Sequence, residues 1–161
     1  MRRQPNVGPK LVADYEHMRL ASIERDYWQL RSGEASHRAN PDSFWIPALA
    51  ERESLQRGQA VRLIFDIEGK DEDGTVQVQG ERMWVIVSER RDGTYVGILD
   101  NAPALLEVSD ETYLRQGAEV PFLPEHVIDI DRPPAEYVEW RLSQPPARVW
   151  PPEGDSTAPT T

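Results

Sequence analysis

The chain has 161 residues, a formal net charge of −10 at pH 7 and no cysteine. Without cysteine it can form neither a disulfide framework nor a thiolate-ligated zinc or iron–sulfur site. The length fits one hydrophobic core with terminal extensions. No apolar stretch approaches the roughly 20 residues that span a bilayer, so we expect a cytoplasmic protein without a membrane partner.

The charge is divided unevenly along the chain. Residues 1–38 hold 7 Lys and Arg against 5 Asp and Glu, whereas residues 39–161 hold 11 against 23. Binding to nucleic acid needs clustered basic residues, so the acidic part argues against a DNA or RNA partner. It suits a basic protein partner, with plain solubility as the alternative explanation of the charge.

The first predicted element is a helix that begins at Gly8 and Pro9 and ends at Gly33, because proline is tolerated in a first turn and glycine is common just past a helix end. Its apolar residues form two nearly opposite stripes. One stripe is Leu20, Ile23, Tyr27 and Leu30; the other is Leu11, Tyr15 and Met18. We expect the first stripe to pack on the core. The second requires a bend in the helix or a cover such as a second subunit, which predicts a homodimer as one alternative.

Turn residues predict the strands that follow. Two phrases, at residues 55–61 and 114–120, share a Leu-x-x-Gly-x-x-Val spacing in which glycine makes a tight turn and valine opens a strand. Apolar runs on both sides of Asp92-Gly93 predict a hairpin, with a third strand at residues 122–129. Asp73-Gly74 predicts another hairpin turn after a charged loop. That loop lacks the alternating ligand spacing of a calcium site, and we expect no metal and no cofactor.

These elements predict an α+β fold. In it the N-terminal helix packs on a small, mostly antiparallel β-sheet or partly open barrel, and a Pro-rich tail is disordered. The predicted divisions are a helical extension at 1–40, a β-rich core domain at 41–132, a short C-terminal segment at 133–150 and the tail at 151–161.

Several phrases of the β region resemble those of a known family. They are Phe-Trp-Ile-Pro at 44–47, Leu-Ile-Phe at 63–65, Glu-Arg-Met-Trp-Val at 81–85, Gly-Ile-Leu-Asp-Asn-Ala-Pro at 97–103 and Pro-Glu-His-Val-Ile at 124–128. The chain there resembles the bacterial family of small domains of unknown function typified by YegJ, which in turn resembles immunity-type proteins encoded beside secreted toxins. The resemblance implies a compact antiparallel β domain and no established chemistry.

Five residues form the candidate binding site, as an acidic and aromatic patch at one end of the hairpin: Glu81, Trp84, Asn101, Glu125 and His126. The leading hypothesis is a non-enzymatic protein-binding module, an immunity-type inhibitor that docks on a basic partner. Plainer roles are open for two of them. A tryptophan in an alternating strand often packs in a core, and Asn101 before Ala102-Pro103 can end a strand through its side chain.

Two alternatives belong to other classes of function. One is a structural or regulatory domain that self-associates through the Leu11, Tyr15 and Met18 stripe. The other is a hydrolase that uses His126 with a carboxylate, which sequence does not favour because neighbouring residues of a strand, such as Glu125 and His126, face opposite sides. The chain shows no nucleophile elbow and no Gly-rich phosphate loop, so we expect no catalytic residues.

Overall fold

The computed structural model describes residues 18–106 and 111–152. These residues form six strands: β1 (Trp28–Leu30), β2 (Ala60–Lys70), β3 (Val76–Arg91), β4 (Thr94–Leu99), β5 (Glu119–Phe122) and β6 (Asp129–Asp131). They also form four α-helices, α1 (Ile23–Asp26), α2 (Gly33–Ala39), α3 (Leu49–Glu53) and α4 (Ala135–Ser143), and a 3₁₀ turn (Pro124–His126).

All six strands belong to one antiparallel sheet that curls into a half-barrel. The order is β1-β2-β3-β4-β5, and β2 and β3 pair along 11 residues of each strand. β1 and β6 share one edge of β2, β1 beside Phe65–Ile67 and β6 beside Ala60–Arg62. The predicted α+β class and partly open antiparallel barrel are confirmed.

The sheet has an inner and an outer face. Along β3 the odd-numbered residues Met83, Val85 and Val87 point into the core and are almost completely buried. The even-numbered residues, Trp84 among them, lie on the other face because successive side chains of a strand alternate. We call the face that carries Met83 the inner face and the face that carries Trp84 the outer face.

An aromatic contact joins the two open edges of the sheet on the inner face. Trp28 lies on β1, and its ring centre is 5.6 Å from that of Trp150, in an edge-on arrangement. Trp150 is only 1% exposed and is tied to β5, where its backbone N–H donates to Glu119 Oε1 over 3.0 Å. Its indole N–H donates to the carbonyl oxygen of Arg19 over 2.8 Å. The C-terminal segment is therefore part of the core.

The turns predicted from glycine are confirmed. Gly58 and Gly117, in the two Leu-x-x-Gly-x-x-Val phrases, have φ of 97° and 94°, values that suit glycine because it has no Cβ. In each phrase the leucine and the valine are buried. Gly93 with Asp92 closes the β3–β4 hairpin, and Gly74 turns the chain between β2 and β3.

The helix predicted from Gly8 and Pro9 to Gly33 is not formed in its described part, residues 18–33. The described part of it is a single turn, α1, after which Tyr27 takes a left-handed φ of 67° and β1 begins. Burial of Trp28 and pairing with β2 override the helical spacing. Gly33 begins α2 instead of ending a helix, and a Cβ there would come within 2.7 Å of the Ile128 side chain.

Three further predictions concern the third strand, the stripe for self-association and the C-terminal tail. Residues 122–129 are not one strand, because the chain leaves β5, makes the 3₁₀ turn at Pro124–His126 and then forms β6. Of the stripe proposed for self-association, Leu11 and Tyr15 lie outside the described residues, and Met18 packs against the core. Residues 153–161 of the predicted tail also lie outside the described residues.

Replacing Trp150 tests the closure of the half-barrel. We expect Trp150→Ala to lower the free energy of unfolding by about 3–5 kcal/mol, the range for removing a large buried aromatic side chain. Urea unfolding followed by far-UV circular dichroism measures it. Trp45→Ala is the matched control, since Trp45 is 68% exposed. Equal losses in the two variants would contradict a core role for Trp150.

Candidate functional site

The five candidate residues do not form one patch. Asn101 follows β4 and bonds the backbone of Trp84, whereas Glu81, three residues before Trp84 on β3, points to the opposite face. Glu125 and His126 lie in the 3₁₀ turn that precedes β6, and β2 separates β6 from β3. The structure therefore brings Trp84 and Asn101 together, places Glu81 on the other face of the same strand, and places Glu125 and His126 elsewhere.

Asn101 extends the ladder between β3 and β4. Its Oδ1 accepts the backbone N–H of Trp84 over 2.5 Å, and the N–H of Asp100 donates to the carbonyl oxygen of Trp84 over 2.9 Å. The asparagine side chain thus stands in for one more residue of β4. This is the strand-ending role that the sequence indicated.

The carboxylate of Glu81 is hydrogen-bonded within the chain. Its two carboxylate oxygens accept the backbone N–H groups of Ala104 and Leu105, over 2.8 and 3.1 Å. A carboxylate that satisfies two loop amides is already well bonded. Glu81 therefore fixes the loop after β4 more than it offers charge to a partner.

Trp84 lies in a gap on the outer face, a place where the rest of the protein covers the strands only partly. Ile86, two residues along β3, is 1% exposed, and Ile64, two residues along β2 from Arg62, is 2% exposed. Trp84 and its cross-strand neighbour Arg62 lie between these buried positions and are only half-buried. The row formed by Arg62 and Trp84 is therefore half-open between two buried isoleucines.

Arginine and aromatic side chains meet repeatedly around this gap. The Arg62 guanidinium lies 5.8 Å from the Trp84 ring centre. Arg82, two residues from Trp84 on the same face, lies 5.4 Å from the ring of Phe44. Arginine over an aromatic face is attracted to the ring electrons. The surface around Trp84 is thus aromatic and locally cationic, although the chain as a whole is acidic.

Helix α4 supplies a third arginine–aromatic pair. Arg141 lies 4.8 Å from the Trp140 ring centre, and its Nε donates to Asp100 Oδ1 over 3.1 Å. The Tyr137 hydroxyl donates to the same oxygen over 2.5 Å. Burial and this hydrogen bond raise the pKa of Tyr137, so the hydroxyl stays a donor. Asp100 directly follows β4, and its N–H donates to the carbonyl oxygen of Trp84, which places α4 beside the gap.

We call the residues of these three pairs the outer-face cluster: Phe44, Arg62, Arg82, Trp84, Trp140 and Arg141. Sequence reasoning identified only Trp84. Arg62 and Arg82 could have been found from strand alternation, since both share the outer face with Trp84. Phe44 and Trp140 come from distant segments, and no local pattern predicts their position.

His126 is buried and has a structural environment. Its Nδ1 accepts the backbone N–H of Leu123 over 3.0 Å, so the proton of the neutral ring sits on Nε2. Burial lowers the pKa of His126, and the charges of Glu125 and Glu34 only partly oppose this. The ring therefore has no free basic nitrogen, which a general base would need.

The expected separation of Glu125 from His126 is wrong. Glu125 Oε2 lies 3.9 Å from His126 Nε2, because the two residues sit in a 3₁₀ turn and not in a regular strand. Nearby Arg52 is 5% exposed and donates to Glu34 Oε2 over 2.7 Å and to the carbonyl oxygen of Pro124 over 3.0 Å. These bonds tie α2 and α3 to the turn. The region around Arg52 and His126 therefore has a structural role, since its hydrogen bonds join two helices to the 3₁₀ turn.

The described residues hold neither a cluster of metal ligands nor a membrane-spanning helix. No group of three or more His, Asp or Glu there is placed to hold a metal ion. In the same ranges no helix has the length and apolar character needed to cross a membrane. No family model, no curated protein and no solved structure matches the chain. The YegJ-like resemblance therefore stays a prediction.

The burial of His126 predicts a pH-dependent stability. Its ordinary pKa is 6.5, and the folded state holds it lower, so the unfolded state binds the proton more readily. The free energy of unfolding should therefore fall as the pH decreases through and below 6.5, until the folded pKa is passed. Urea unfolding at several pH values measures this. His126→Asn, whose oxygen can accept the Leu123 N–H, should flatten the dependence. An unchanged slope in His126→Asn would contradict the assignment.

The bond between Asn101 and Trp84 gives a second prediction. We expect Asn101→Ala to lower the free energy of unfolding by about 1–2 kcal/mol, because the Trp84 N–H loses its acceptor. Asn101→Asp keeps an acceptor oxygen and should lose less. Urea unfolding of both variants makes the comparison. An alanine variant as stable as the parent chain would show that the bond contributes nothing.

Proposed function

We propose that this chain is a non-enzymatic protein-binding module that docks through the outer-face cluster. The observation that carries the proposal is the grouping of three arginine–aromatic pairs around the half-buried Trp84, on one face of the sheet. Tryptophan, tyrosine and arginine are the residues that most often dominate the binding energy of protein interfaces. Trp140 is 50% exposed and Tyr137 is 37% exposed, so contact area is open to a partner.

The cluster is ordered before any partner arrives. Asp100 fixes Arg141 and Tyr137, and Asn101 fixes the backbone at Trp84. Side chains held in this way lose little conformational freedom on binding, which favours affinity. A solvent-exposed face without a binding role would gain little from such ordering.

We propose a basic protein as the partner. The net charge of −10 attracts a basic protein over long distances and speeds encounter. The outer-face cluster then acts at short range, where aromatic area and arginine donors set the lifetime of the complex. The immunity-type inhibitor implied by the family resemblance is the form of this function that we favour.

The experiment isolates a partner from native lysate with the tagged chain and then measures its dissociation constant in purified form. We expect Trp84→Ala and Trp140→Ala each to weaken binding by at least about tenfold, as for hot-spot residues. Added salt should also weaken binding, because charge assists the encounter.

The matched control is Tyr27→Ala. Tyr27 is 63% exposed and lies beside Glu68, six residues along β2 from Arg62 and hence about 20 Å away. The control should bind like the parent chain. Equal losses in all three variants would contradict the docking face. Recovery of nothing but the chain itself would instead favour self-association.

A further inference from the structure

Arg62 and Arg115 are the arginines of the described residues whose buried Nε has no hydrogen-bond partner. Arg115 donates through Nη2 to the carbonyl oxygen of Thr112, whereas the Arg62 side chain makes no hydrogen bond there. No carboxylate in the described residues lies within salt-bridge distance of the Arg62 guanidinium. Arg31, Arg52 and Arg141 each meet a carboxylate within 3.1 Å. The contact that Arg62 does make is with the Trp84 ring.

The acids nearest to Arg62 in the sheet are bonded to other groups. Asp129 is its register partner on β6, yet Asp129 Oδ1 accepts the N–H of Ile130 over 2.9 Å. Asp100, on the far side of Trp84, is held by Tyr137 and Arg141. Asp129 and Asp100 thus lie at the two ends of the row formed by Arg62 and Trp84, and neither pairs with Arg62.

A buried hydrogen-bond donor without an acceptor is rare in native proteins. It calls for an explanation such as a functional role or a bound molecule. Here it belongs to a charged group at the half-open row of the outer face. Leaving a charged donor unpaired is more costly than leaving a neutral one. The Nη atoms of the same guanidinium are neither buried nor hydrogen-bonded, so an incoming acceptor can reach them.

We propose that Arg62 receives a single carboxylate group, an Asp or Glu side chain of the partner, while the Trp84 ring packs beside it. The proposal rests on the function proposed above and names the chemical group that the docking face recognises. The planar fork of a guanidinium matches the two oxygens of a carboxylate.

A carboxylate fits better than a phosphate. Asp129, the register partner of Arg62 on β6, would repel a dianion more than a monoanion, whereas Asp100 is already paired with Arg141. A singly charged, flat acceptor meets less repulsion and matches one arginine. The basic partner therefore presents one acidic side chain within the surface that it applies to Trp84.

The first test uses the isolated chain and a defined probe. The probe is N-acetyl-aspartate α-amide, which carries one carboxylate, and the readout is the arginine Nε–H resonances in ¹⁵N NMR. The Arg62 resonance is assigned by its loss in Arg62→Lys. We expect it to shift progressively with the probe, but not with N-acetyl-asparagine α-amide. No shift would overturn the proposal, and so would a larger response to inorganic phosphate at equal ionic strength.

The second test uses the purified partner. Arg62→Met should bind it about tenfold more weakly or worse, and Arg62→Lys should not restore binding, because lysine lacks the fork. The melting temperature of Arg62→Met should be unchanged or higher, since the variant removes an unpaired buried donor. Arg38→Met, at an exposed position on α2, is the control and should bind normally.

The two proposals fail in different ways. If Arg62→Met binds like the parent chain while Trp84→Ala does not, the carboxylate site is overturned and the docking face stands. If neither variant loses affinity, both are overturned. A large fall in the melting temperature of Arg62→Met would reveal an internal partner for Arg62 and would also overturn the carboxylate site.

Discussion

The contact between Trp28 and Trp150 is the constraint on which the rest of this structure depends. A curled sheet that does not close into a full barrel leaves two open edges and a concave face that must be filled. Trp28 comes from one edge, and Trp150 is bonded to Glu119 at the other. Their rings, with Tyr113 stacked on Trp28, fill that space. Both ends of the described chain are thereby fixed to the core.

Because the inner face carries the core, the outer face of the same two strands is free for other uses. Ile64 and Ile86 are buried under neighbouring segments, whereas the row of Arg62 and Trp84 between them stays half-open. Strand β3 therefore places Met83 in the core and the adjacent Trp84 at the surface. The alternation of one strand thus separates the side chains that form the core from those of the proposed docking face.

The candidate site was only partly predictable. Trp84 and Asn101 stood out because a tryptophan in an alternating strand and an asparagine before Ala-Pro have local meaning. His126 was conspicuous for its chemistry, yet burial and its bond to Leu123 make it structural. Phe44 and Trp140 are brought to the outer-face cluster by folding alone. Residues about 40 or more positions from Trp84 leave no trace of that proximity in a local pattern.

The sequence by itself determined the turns and the alternation of the long strands. The glycines at Gly58, Gly93 and Gly117 adopt positive φ because of their own covalent structure, wherever the chain leads afterwards. Only the tertiary structure decided that residues 28–30 form a strand and not a helix, since they pair with Phe65–Ile67 and bury Trp28. It alone also placed Trp150 in the core. Burial and pairing between distant segments outweigh the small local preferences that a sequence pattern records.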